Sequence, residues 1–313
     1  MLKYIIRRII SLVISLILIS VITFAAFSVI PGDAVLAKLG TNATPERVAQ
    51  LRTEMGLDDP IPVRYVNWLK DALHGDFGES TQYTGNSVQS LMEQRLPFTL
   101  TLCLMSFAVI LAFSIPLGVF AARKKDSWIN GLITVLTQVA MAIPSFFLGI
   151  LLTFVFGIVL KVFQPGKFVS PSQDFTGSLQ FLLLPAIATA LPKIAMTVKF
   201  LRNSILNEMN KNYVRTARIK GNTESRVLYG HVLKNALIPV VTFLGLVLAD
   251  VLAGNIIVEQ VFNVPGLGRL LVTAISNRDF PVVQAVVLFV TAFVIVVNFV
   301  VDMMYKFIDP RVK

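Results

Sequence analysis

Six apolar stretches, each long enough to cross a bilayer, alternate with polar segments of very unequal length along this chain. The first is uncharged across residues 9–30 and follows Lys3, Arg7 and Arg8. At about 1.5 Å per residue it covers a hydrocarbon core of about 30 Å. It exceeds the apolar part of a secretory signal, and Ala25-Ala26-Phe27 makes a poor cleavage site. The pattern therefore predicts an uncleaved first helix at residues 1–30 with its amino end in the cytoplasm. Five more spans are predicted at about residues 100–122, 132–160, 179–198, 236–258 and 282–305. Pro97 and Pro281 stand near the expected helix starts, where a missing amide hydrogen does no harm. Pro116, Pro144, Pro185 and Pro192 fall inside or near spans and predict kinks.

The longest polar segment, residues 31–95, is placed outside as a small folded lid. Pro31-Gly32-Asp33 ends the first span, and Thr44-Pro45-Glu46 caps a helix that stops at Gly56. Pro62 opens another helix, with Tyr65, Trp68, Leu69 and Leu73 on one face. A core of residues 93–305 and a cytoplasmic tail at 306–313 complete the division. Lys and Arg concentrate on the segments this topology puts inside, and the short outside loops hold only Lys161, Lys167, Arg269 and Arg278. Six spans with both ends inside satisfy the positive-inside rule.

Between the fourth and fifth spans lies a polar, basic segment, 199–239. Val198, Leu201, Ile205 and Met209 recur at the spacing of one helix face, so the fourth span continues into water as an amphipathic helix. Gly221 suits a left-handed helix stop and Asn222-Thr223 the cap of the next helix. Val227, Leu228, Val232, Leu233, Ala236 and Leu237 then form a second periodic face leading into the fifth span. A short basic helix held between two breaks is thereby offered to a soluble partner. A loop made basic by topology alone is the competing reading.

Composition narrows the classes. Of 313 residues 55% are hydrophobic and 15% charged, which describes an all-α integral membrane protein rather than a soluble domain. The net charge of +10 sits in loops between spans, so it does not point to nucleic acid. Cys103 is the single cysteine and lies in a span. The two histidines, His74 and His231, form no metal-binding pair, and neither a Gly-x-Ser-x-Gly elbow nor a phosphate-cradling Gly-x-x-x-x-Gly-Lys-Ser/Thr loop occurs. The chain is thus expected not to be an enzyme and to hold no cofactor; any ATP must be bound by another chain. Charges within spans cost roughly 2.5–3.5 kcal/mol each at mid-membrane, and the candidates are Lys193, Asp250 and Asp302. Asp302 is assigned a structural role. Asp250, with Gly245 and Gly254 nearby, is expected to face a polar translocation path and contact a cationic group of the substrate, with Lys193 as an alternative partner across the bundle. An interhelical pair that only fixes packing is the other reading of these two.

Tyr213-Val214-Arg215-Thr216-Ala217-Arg218-Ile219-Lys220-Gly221, followed by His231-Val232-Leu233-Lys234-Asn235-Ala236-Leu237-Ile238-Pro239, resembles the cytoplasmic loop of ATP-binding cassette importer permeases, in its dipeptide, oligopeptide and nickel branch. Arg215 and Thr216 stand where the general signature has Glu and Ala, and Gly221 to Pro239 is longer than in many importers; both departures resemble features of that branch. His74-Gly75-Asp76-Phe77-Gly78-Glu79-Ser80 is similar to the same branch. So are Val258-Glu259-Gln260-Val261-Phe262-Asn263-Val264-Pro265-Gly266-Leu267-Gly268, Asn277-Arg278-Asp279-Phe280-Pro281, and Asn298-Phe299-Val300-Val301-Asp302 with Asp309-Pro310-Arg311. The resemblance implies a type I importer permease fold of six transmembrane helices, in a bacterial or archaeal cytoplasmic membrane. It further implies a paralogous permease, two cytoplasmic ATPases that bind ATP and Mg, and an extracytoplasmic binding protein. Tyr213, Arg215, Thr216, Ala217, Arg218, Lys220 and Gly221 would then couple to the ATPases, and Glu259, Phe262, Pro265, Gly266 and Gly268 would form an external gate or docking surface. Di- and oligopeptides are the substrates so implied, with nickel chelates, glutathione and opines as alternatives. A secondary transporter or channel without an ATPase is the reading from another class.

Overall fold

The computed structural model describes residues 2–29, 44–54, 56–83, 85–164, 166–171 and 173–308. The expected features at Pro31-Gly32-Asp33 and Asp309-Pro310-Arg311 lie outside the described residues. The described chain is all-helical: α1 (Leu2–Val29), α2 (Pro45–Glu54), α3 (Ile61–Leu73), α4 (Val88–Arg123), α5 (Trp128–Ala142), α6 (Ser145–Leu152), α7 (Phe175–Met209), α8 (Asn212–Ile219), α9 (Glu224–Val227), α10 (Leu233–Phe262), α11 (Leu267–Ser276) and α12 (Phe280–Ile308). Five of the helical runs are long and apolar enough to cross a membrane, and α5 with α6 makes a sixth crossing if the bent pair is one span.

The chain departs from simple hydropathy at two of these elements. α4 starts at Val88, inside the segment assigned to the lid, so Pro97 is well within the helix rather than near its start. The reason is packing. Val88, Leu91 and Met92 are buried against Leu267, Leu270 and Leu271 of α11 and Val282 and Val286 of α12, and the helix begins where its apolar face first finds a partner. The kink expected at Pro144 within the span over 132–160 is a full 96° bend between α5 and α6. Ile143, preceding Pro144, takes extended backbone angles, as the ring of a following proline demands, and Pro144 caps α6. The run then loosens into a π-helical stretch at Thr153–Val159.

A central core joins α4, α7 and α10 through Ile110, Leu201, Ile205, Val240, Val247 and Val251. At the end away from α8, Leu102, Phe181, Leu182, Phe262 and Val264 form a second cluster. α1 is peripheral: it packs along α12, and Arg8 makes an ion pair with Asp302 there, in keeping with the structural role read for Asp302. Two sets of contacts among the described residues tie the polar segment to the helices. Phe24 of α1 meets the rings of Tyr65 and Trp68 of α3, each at 5.5 Å, and Ser20 hydrogen-bonds the Tyr65 hydroxyl at 2.8 Å. Leu73, expected on the same face, is exposed instead. The second set centres on the buried carboxylate of Asp279, just before α12. It accepts from the Ser80 hydroxyl and from the backbone N–H groups of Thr81 and Gln82, at 3.2 and 3.3 Å. In the sequence Asp279 and Ser80 belong to separate loop motifs, and no local pattern marks two residues 199 positions apart as partners.

Candidate functional site

The segment between α7 and α10 folds as the short helix α8 between two turns. Its amphipathicity decides its orientation. Val214 and Ala217 are buried in the central core beside Val227, Leu228 and Val232, which leaves Arg215, Thr216, Ile219 and Lys220 on the open face. Gly221 has φ +79°, the left-handed turn expected of it. Asn222 closes the helix end by donating its side-chain amide to the Ala217 carbonyl at 2.9 Å, and the Thr223 hydroxyl caps α9 by accepting from Arg226 N–H at 3.4 Å. The helix stop and the following cap that the sequence implied are thus both made by the residue types suited to them.

The seven residues expected to act here divide by role. Tyr213 is tied down: its hydroxyl donates to Glu208 at 2.8 Å and accepts from Asn235 at 3.1 Å. Partial burial raises its pKa above the ordinary tyrosine value, so it keeps the proton it donates. Thr216 returns its hydroxyl to the Asn212 carbonyl. Arg218 forms a two-pronged pair with Glu224, at 2.8 and 3.1 Å, across the Gly221 turn. That pair is exposed, and exposed pairs contribute only about 0–1 kcal/mol; burial of Val214 and Ala217 holds the hairpin instead. Arg215 and Lys220 present their charge outward.

Sequence reasoning missed Ile219. It is 78% exposed although it lies amid the cationic residues of the helix. An isolated apolar residue on the polar face of an otherwise correctly patterned helix is the signal that could have found it, since contact surfaces combine an apolar anchor with a charged rim.

Lys193 of α7 and Asp250 of α10 form an ion pair, and the Asp250 side chain is 58% exposed on the face these helices share. The loop set behaves differently. Glu259 and Phe262 are fully buried, Gly266 and Gly268 are also inside, and Pro265 is half-buried, so these residues do not present a docking surface. Instead they build a helix start. The Glu259 carboxylate accepts from the Thr99 hydroxyl at 2.7 Å and from the N–H groups of Gly268 and Arg269 at 2.7 and 3.3 Å. Thr99 in turn accepts from Leu267 N–H at 2.8 Å. The first three amides of α11, which have no partner within the helix, are thereby satisfied from α4 and α10. The backbones approach so closely that a Cβ on Gly268 would stand 2.3 Å from the Ile256 Cα.

Residues 114–313 match the family described as binding-protein-dependent transport system inner membrane component, and residues 1–103 match the N-terminal part of such components. A putative peptide transport system permease of Brucella abortus is 37% identical over 99% of this chain and 98% of its own length. An oligopeptide transport system permease of Bacillus subtilis is 36% identical over the whole of both chains. A probable peptide ABC transporter permease of Sinorhizobium fredii is 33% identical over 99% of each.

Proposed function

We propose, on the premise that this chain belongs to the family of binding-protein-dependent transport system inner membrane components, that it is the permease subunit of an ATP-driven importer of di- and oligopeptides. It forms the translocation path with a paralogous permease and receives substrate from an extracytoplasmic binding protein. Two ATPases on the cytoplasmic side, where both termini lie, bind ATP and Mg and do the hydrolysis. Lys193 and Asp250 line the path.

The observation that carries this reading is how α8 is mounted. Its inner face is packed into the central core, its outer face is a basic rim around Ile219, and its two flanking turns connect directly to long helices. α7 runs for 35 residues from the hairpin, about 50 Å at helical rise, and the run from Glu224 to Phe262 returns over 39. A push on α8 by a closing ATPase dimer is therefore applied to both levers together, and the mechanism is a two-state re-orientation of packed helices. The π-helical stretch at Leu228–Val232 is the looser point in the second lever.

In the reconstituted complex, Ile219→Asp is expected to weaken ATPase capture about tenfold or more, as loss of a central apolar anchor does. Arg215→Glu is expected to weaken it more at low than at high salt, because an exposed charge acts through a screened field. Arg218→Glu is a poorer test, since it also sets a like charge against Glu224. Wild-type capture and uptake by Ile219→Asp would remove α8 as the contact.

A further inference from the structure

The Lys193–Asp250 pair contributes little to holding α7 on α10. Leu201, Ile205, Val240 and Val247 already bury that seam, the Thr189 hydroxyl donates to Asn255 at 2.8 Å within it, and the Ser204 hydroxyl donates to the Ala236 carbonyl at 2.7 Å. The pair is also set outward: Asp250 belongs to a stripe with Leu246 and Ile257, which are 52% and 53% exposed. A charged residue on an open apolar stripe at membrane depth faces water or a partner rather than lipid. Seven residues from the pair on each of these antiparallel helices, toward α8, Phe200 and Phe243 stack with centroids 4.3 Å apart and planes within 10°. Seven residues are about 10 Å of helix, so one wall shows a cation beside an anion and then an aromatic face.

That sequence of surfaces suits a particular molecule. A short peptide with free ends carries one ammonium and one carboxylate, about 7 Å apart in an extended dipeptide, and often an apolar side chain. We propose that the Lys193–Asp250 pair is a charge-exchange contact for such zwitterions: it opens so that the Lys193 ammonium takes the peptide carboxylate while the Asp250 carboxylate takes the peptide ammonium. It closes again when the peptide moves on, with side chains passing over Phe200 and Phe243. Net charge at the wall is zero at both stages, so neither ion is left unpaired at membrane depth.

This rests on the importer reading, and the test separates the two. The complex, with its ATPases and binding protein, is reconstituted in vesicles, and ATP hydrolysis and uptake of labelled Ala-Phe are measured. Absence of nucleotide-dependent uptake by the wild type would overturn the importer reading itself. In Lys193→Met/Asp250→Asn, where no charge is left unpaired, Ala-Phe uptake should fall about tenfold or more while the permease still inserts and captures its ATPases in wild-type amount. Uptake at the wild-type rate would reduce the pair to a packing contact and overturn the proposal. A second measurement keeps the charges in place. Leu246→Cys lies one turn from Asp250, and the native Cys103 is buried. During turnover Ala-Phe should slow its modification by a charged thiol reagent severalfold, whereas N-acetyl-Ala-Phe-amide should not. Equal modification rates with and without Ala-Phe would also overturn the proposal.

Discussion

Replacing Gly221 with valine is expected to cut ATP-driven peptide uptake at least tenfold while the protein still inserts in normal amount. The effect is purely one of backbone conformation: a Cβ at this position meets nothing within 4 Å, but φ is +79°. Holding a residue with a Cβ in that region costs about 1–3 kcal/mol, with β-branched side chains at the upper end. The chain escapes the strain by reopening the turn, which tilts α8 against α9 and breaks the Arg218–Glu224 bridge and the Asn222–Ala217 closure. Neither loss touches the spans, so insertion is spared while force transmission is not. Uptake in vesicles should fall in the order Gly, Asn, Ala, Val at position 221, because asparagine tolerates the left-handed region. A valine variant with wild-type uptake and substrate-stimulated hydrolysis would rule out α8 as the lever.

Glu259→Ala is expected to be the most destabilising single change at the opposite end, at about 3 kcal/mol or more. Three donors, the Thr99 hydroxyl and the N–H groups of Gly268 and Arg269, would lose their acceptor in a fully buried site. Each buried group left unsatisfied costs about 1–3 kcal/mol. The shape of the carboxyl is also enclosed by the Gly266–Gly268 backbone, so a void remains. Glu259→Gln keeps the shape and one acceptor but turns an amide donor toward other donors, and should lose less. Thr99→Val combined with Glu259→Gln should cost less than the sum of the two, as members of one network do. Thermal unfolding in detergent reads this out. An alanine variant that unfolds together with the wild type would show that the network does not hold α11 in place.

These two sites differ in how far the sequence disclosed them. Local chemistry was legible: periodicity placed the spans, the faces on either side of α8 followed from Val198 to Met209 and from Val227 to Leu237, and the turn at Gly221 came from residue preference alone. The early start of α4 at Val88 was not, because hydropathy rises only later and the start depends on α11 and α12. Pro144 announced a kink, but a 96° bend is set by what α5 and α6 pack against. Glu259 looked like one polar residue in an outer loop. Its burial requires Thr99, 160 positions away, and no spacing rule connects them.

What the sequence by itself determined is therefore whatever depends on neighbours within a turn or two: which segments are helical, where they stop, which are apolar enough for lipid, and that no nucleotide loop is present. The tertiary structure alone decided which charges meet and which residues remain outside. Asp302 found Arg8, Asp279 found Ser80, and Ile219 was left exposed. Backbone preference acts at short range, whereas ion pairing and burial depend on how helices distant in sequence are brought side by side.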